Sequence, residues 1–290
     1  MINMNGVGVK NNSCQVSVSE VAFGSSEIKI KGRVFMPAID GSMPGIVLCH
    51  GFGTDLRTVE ASARIIAGKG IAVLVFDFRG HGESGGIADE NLVNDVIDAW
   101  NFLLSYPGIN RKRVGLAGHS MGALAAILAA RQVKPRALIA LSCPPEFDGD
   151  FSRISSEIPF ELIKEDKEVR EYPRDGSLPW VKGIASIISR LWMRMAGYKV
   201  RVNWSRFFQI FSGAKLTTAI KDLRDDCSML FVHCMGDNIA PYSTAVELYE
   251  IAQGSKTLLL SAGGFHSTPL LAGRLRRDWT EWTANALKSI

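Results

Sequence analysis

Val114-Gly115-Leu116-Ala117-Gly118-His119-Ser120-Met121-Gly122-Ala123-Leu124-Ala125-Ala126-Ile127-Leu128-Ala129-Ala130 is the stretch that decides the fold. Its opening four residues read as the end of a buried strand, and its last eight are strong helix formers. A five-residue G-x-S-x-G turn joins the two, with glycines that let backbone segments approach closely and lift a serine hydroxyl clear of the strand. The helix starting at Met121 adds free N–H groups and partial positive charge beside it. In a chain with 28 glycines the five-residue pattern alone arises easily by chance, so the flanking strand and helix carry the assignment of Ser120 as a nucleophile.

Outward from this turn, apolar runs predict strands at 15–23, 28–36, 45–49, 71–78, 113–117, 137–142, 229–234 and 257–261. The first two alternate, as in Lys29-Ile30-Lys31-Gly32-Arg33-Val34, which suits a sheet edge with one wet face. Later ones, such as Ile71-Ala72-Val73-Leu74-Val75-Phe76, are continuously apolar, as parallel strands covered on both faces require. Helical patterns at 58–69, 91–105, 121–132, 243–252 and 270–287 separate them. This alternation predicts an α/β fold with a mostly parallel, eight-stranded sheet and helices on both faces.

Residues 144–215 break the rhythm and are read as a helical cap inserted between core segments 1–143 and 216–290. From Gly176 to Thr218 there is no Asp or Glu, while Lys182, Arg190, Arg194, Lys199, Arg201, Arg206 and Lys215 are basic. Ile184, Ile187, Ile188, Leu191, Trp192 and Met195 fall at helical spacing and form one apolar stripe. The stripe suits three uses: packing on the core, roofing an apolar pocket, or meeting an anionic membrane or substrate.

At 290 residues and 47% hydrophobic, the chain can bury one large core. A net charge of +4 is too small for a concentrated basic face, and no DNA- or RNA-binding motif is present, so no nucleic-acid partner is expected. Neither a signal-type N-terminus nor a long apolar span is found, which predicts a cytoplasmic protein. Five scattered cysteines without a C-x-x-C pair give no support for zinc or a disulfide framework.

A serine hydroxyl needs a base, and there are only five histidines to choose from. His119 neighbours the nucleophile and projects away from it; His50 and His81 lie in early glycine turns; His233 lies inside a predicted strand. His266, in a loop after the last predicted strand, can reach over the sheet edge. The acid follows the strand 229–234, where Asp237 faces the same rim; its alternative role is a turn hydrogen bond to backbone. Asp148 and Asp150 compete weakly, and Asp225 and Asp226 lie at the wrong end of the sheet. Two oxyanion donors are expected, the backbone N–H of Met121 and that of Phe52 in His50-Gly51-Phe52-Gly53.

Together His50-Gly51-Phe52-Gly53, Phe76-Asp77-Phe78-Arg79-Gly80-His81-Gly82-Glu83-Ser84 and Gly118-His119-Ser120-Met121-Gly122 resemble the α/β-hydrolase superfamily, in particular its cinnamoyl and feruloyl esterase-like branch. Acylglycerol lipases share much of the pattern. The resemblance spans 15–142 and 217–290 but not the cap. It implies a Ser120–Asp237–His266 triad with oxyanion donors at Phe52 and Met121, a structural role for His81, and neither metal nor organic cofactor. The expected reaction is cleavage of a small-molecule carboxylic ester, with an apolar acyl or aryl group, through an acyl-enzyme. A thioesterase, an amidase or peptidase, and a non-catalytic binding protein on the same fold are the rivals. Epoxide hydrolases and dehalogenases of this superfamily carry an aspartate where Ser120 stands.

Overall fold

Continuously apolar segments must be covered on both faces, and they are. In the computed structural model, which describes residues 14–24, 27–146, 170–172, 197–212, 215–223 and 225–289, every residue of β3 (Met43–Cys49) and β4 (Ala72–Phe76) is buried. β5 (Ile109–His119) and β6 (Ala137–Leu141) continue the parallel sheet, followed by β9 (Ser228–Cys234) and β10 (Lys256–Ser261). β1 (Val16–Gly24) and β2 (Lys29–Pro37) form an antiparallel hairpin that closes the opposite edge on β4. The order is β1-β2-β4-β3-β5-β6-β9-β10, the expected eight-stranded, mostly parallel sheet.

Parallel neighbours need crossovers, and these supply the two covering layers. One face carries α2 (Leu92–Ser105), α3 (Met121–Val133) and the helices Leu216–Lys221 and Ser243–Ile251. The other carries α1 (Arg57–Ala67) and the helix Gly273–Lys288, whose Trp279 is completely buried. An aromatic side chain so placed contributes roughly 1.5–3 kcal/mol of hydrophobic stabilisation. α3 is buried along most of its length because it packs between the sheet and α2, which accounts for its run of alanines.

Between β6 and β9 the chain departs from a purely helical insertion. Residues β7 (Arg170–Tyr172) and β8 (Val200–Val202) pair as a short antiparallel ribbon outside the main sheet, followed by the helix Trp204–Ser212. β8 forms bridges to the core at His81 and Ala88, and its two valines are buried. The apolar stripe Ile184, Ile187, Ile188, Leu191, Trp192 and Met195 lies outside the described residues, as do Asp148 and Asp150. Among the described residues no helix is long and apolar enough to cross a membrane.

Candidate active site

β5 delivers Ser120 into a sharp turn before α3, with φ 54° and ψ −123°. A non-glycine residue is held there only when its surroundings over-determine it. Here the Ser120 N–H donates to the Leu141 carbonyl at 2.9 Å, and its carbonyl accepts from Ala123 and Leu124 at 2.8 and 3.1 Å. The turn needs its glycines for space: a Cβ on Gly118 would lie 2.2 Å from the Gly122 oxygen, and one on Gly122 would lie 2.4 Å from the His50 oxygen.

At the ends of β9 and β10 the structure joins Asp237 and His266. His266 Nδ1 lies 2.8 Å from Asp237 Oδ2, and the carboxylate is fully covered. Oδ1 accepts the N–H groups of Ile239 and Ala240 at 2.9 and 3.0 Å. Burial alone would raise the Asp237 pKa, but the hydrogen bonds from His233, His266 and backbone outweigh it and hold the carboxyl well below the usual range. The loops that carry Asp237 and His266 also touch directly, since a Cβ on Gly236 would lie 2.5 Å from the Gly264 oxygen.

All five histidines are buried on this part of the molecule, and their hydrogen bonds separate them. His50 Nε2 accepts from the Phe78 N–H and His81 Nε2 from the Gly53 N–H, so their Nδ1–H groups point to the carbonyls of Gly51 and Arg79. His119 Nε2 donates to the His266 carbonyl. His233 Nε2 meets Asp237 and the Ala240 carbonyl. His266 alone has Nδ1 on a carboxylate, and among the described residues its Nε2 has no hydrogen-bond partner. Among the described residues the Ser120 hydroxyl has no hydrogen-bond partner either, His266 Nε2 included.

Phe52 follows β3 at this same rim. Its ring packs on His81 at 5.5 Å, on Trp204 at 5.6 Å and on Phe207 at 4.8 Å between centroids. Met121 is buried at the first position of α3. Asp77 clamps the neighbouring turns: Oδ1 accepts from the Leu56 N–H at 2.8 Å and Oδ2 from the Glu83 N–H at 2.9 Å. Burial outweighs those bonds and pushes its carboxyl up to about 6. Arg79 is paired with Asp95, so 76–84 forms a braced segment. Asp226, in contrast, receives Arg136 at its carbonyl just before β9, at the other end of the sheet.

Besides His119, two further side chains meet Asp237 and His266. The sequence marks His233 as a strand residue, yet the strand ends one position later and its ring turns onto Asp237. Ser142 carried no signal at all, yet its hydroxyl donates to the His266 carbonyl at 2.9 Å. Among the described residues no group of three or more His, Cys, Asp or Glu is arranged to hold a metal ion, and all five cysteines are free thiols.

Residues 46–279 match the model of the alpha/beta hydrolase family. The thiohydrolase AneE of Aspergillus aculeatus is 36% identical over 133 residues, 43% of this chain and 41% of that protein, so the likeness spans less than half of either. DcsB, solved in complex with a substrate analogue, superposes with a TM-score of 0.75 at 19% identity, covering 94% of this chain and 98% of that one. Est1E of Butyrivibrio proteoclasticus, solved with ferulic acid bound, gives 0.65 at 17% identity over 91% and 96%. At such identities the two solved structures speak for the fold alone. The family match runs from β3 into the C-terminal helix and encloses Ser120, Asp237 and His266, and this chain belongs to the alpha/beta hydrolase family.

Proposed function

We propose that the protein is a serine hydrolase that cleaves carboxylic esters through an acyl-enzyme. The observation that carries this reading is the state of His266: Nδ1–H is held by a buried carboxylate while Nε2 has no partner among the described residues, unlike every other histidine at the rim. A base so held presents its lone pair at Nε2.

Ser120 Oγ attacks the acyl carbonyl as His266 Nε2 takes its proton. Asp237 stabilises the imidazolium, and the N–H groups of Met121 and Phe52 receive the oxyanion. The alcohol leaves with the proton from His266, which then activates water to release the acid. The aromatic group Phe52, Trp204, Phe207 and Phe208 beside the oxyanion turn favours an apolar acyl or aryl substituent, with residues 144–215 setting the preference. The thiohydrolase relative supports a second reading, hydrolysis of a thioester by the same route.

The test is a panel of p-nitrophenyl esters, aryl esters and acyl-CoA thioesters with a Ser120→Ala control. Ester turnover and fluorophosphonate labelling should both vanish in the variant, and survival of both refutes the reading. Faster thioester turnover, weakened by salt, selects the second reading.

A further inference from the structure

Two buried donors converge on one main-chain oxygen, the carbonyl of His266. Ser142 Oγ and His119 Nε2 each donate to it at 2.9 Å. Neither donor belongs to the loop. His119 ends β5 immediately before Ser120, and Ser142 directly follows β6.

The backbone at Ser142 is informative. Among the described residues only Ser120, Lys134 and Ser142 are non-glycine with positive φ. Ser120 makes the elbow, and Lys134 caps α3 with its N–H on the Ala130 carbonyl. Ser142, at φ 48° and completely buried, terminates no helix. A side chain in this region costs on the order of 1 kcal/mol that glycine avoids. What the serine supplies in return is a hydroxyl aimed at the His266 carbonyl, while its N–H donates to Val232 at 2.8 Å. For His119, the partner is a carbonyl and can only accept, so Nε2 must carry the proton. Burial pushes its pKa down to about 3 and keeps the ring in that neutral donating form.

We propose that Ser142 and His119 are positioning residues that latch the His266 loop to the nucleophile's own elbow. The latch rests on the reading of Ser120 and His266 as nucleophile and base. It holds the main chain of the base at a fixed place relative to Ser120, while Asp237 sets the ring. On the acid's side the base loop is held by the Asp237 bond and the Gly236–Gly264 contact, and the latch supplies the tie on the nucleophile's side.

The decisive variant is Ser142→Gly, which removes the hydroxyl and also relieves the positive φ. The latch predicts kcat down about tenfold with KM within about twofold, because small displacements of a base cost rate more than binding. The thermal midpoint should stay equal or rise, which separates positioning from folding. His119→Leu should lose about as much, and His119→Gln, whose amide nitrogen reaches near the Nε2 position, should recover most of it. If His119→Leu does not fold, Ser142→Gly and His119→Gln carry the test. Ser142→Gly with kcat within about twofold of the parent overturns the latch. Ser120→Ala and His266→Ala run alongside: if either keeps its turnover, the triad reading falls and the latch with it. If both abolish turnover while Ser142→Gly is silent, only the latch falls.

Discussion

His233 Nε2 lies 3.2 Å from Asp237 Oδ2, across the four residues that carry the chain out of β9. Both side chains are fully covered, and this oxygen is the one that also accepts from His266. With Ile239 and Ala240 on Oδ1, the carboxylate has four donors and no exposure.

Such a carboxylate is fixed in charge and direction, so weakening it should cost rate. Asp237→Asn is expected to lower kcat on the order of 10³–10⁴-fold, because the amide favours the wrong His266 tautomer. His233→Leu removes one of the four donors and should lower kcat about tenfold. The change also strips the buried Ala240 carbonyl of its donor, while removing Nδ1, which has no partner among the described residues, so the denaturant midpoint should fall modestly. Steady-state kinetics with urea unfolding on the same samples reads both effects. Full activity in His233→Leu removes its role.

Acid should destabilise the fold well before ordinary carboxylates titrate. Burial lowers the pKa of His50 to about 4 and those of His81 and His119 to about 3. Unfolding lets each take a proton near its free value of about 6.5, so the unfolded state binds more protons below that pH. The stability these neutral rings hold is complete above about 6.5 and falls as pH drops towards 4, by about 1.4 kcal/mol per group per pH unit. Urea midpoints at pH 7.5 and pH 5 should differ strongly, and His81→Phe should flatten the dependence. A midpoint independent of pH over this range contradicts neutral burial of these rings.

Ser62 offers a gain in the opposite sense. It is buried on α1, and among the described residues its hydroxyl has no hydrogen-bond partner. Ser62→Ala removes an unpaired polar atom and improves helix propensity, so stability should rise by about 1 kcal/mol. Thermal unfolding of the two proteins decides it, and a lower midpoint for the variant would point to a buried water on the hydroxyl.

Much of the sheet was legible because burial on both faces forces continuous apolar runs, as in β3 and β4. β5 was read too short: its first residues include the exposed Arg111 and Lys112, whose polarity hides a strand that extends back to Ile109. The C-terminal helical pattern was read as one helix, but Ala272 is extended at ψ 119° and splits it into Thr268–Leu271 and Gly273–Lys288. The helix Leu216–Lys221 is too short to show periodicity and went unread.

For the candidate site, the place of Ser120, Asp237 and His266 at the rim was legible, because position along a strand implies it. The site was illegible where the link is a main-chain oxygen. Ser142 and His119 bind the carbonyl of residue 266, an atom every residue possesses, so no choice of side chain there advertises the contact. The Gly236–Gly264 approach is hidden for the same reason, being a backbone meeting between two loops remote in sequence.

β8 has a consequence for anyone exchanging parts between these enzymes. Its bridges to His81 and Ala88 stitch the far end of the insertion into the body of the molecule. Tyr198, Val200, Val202, Trp204, Phe207 and Ile210 belong to the same buried cluster as Phe76 and Phe78. A transplant cut at 144 and 215 would therefore pull out a piece of the recipient's interior and strip the packing from the ring of Phe52. An exchange should therefore stop short of Tyr198, and a chimera that keeps 198–215 native is the one that should fold.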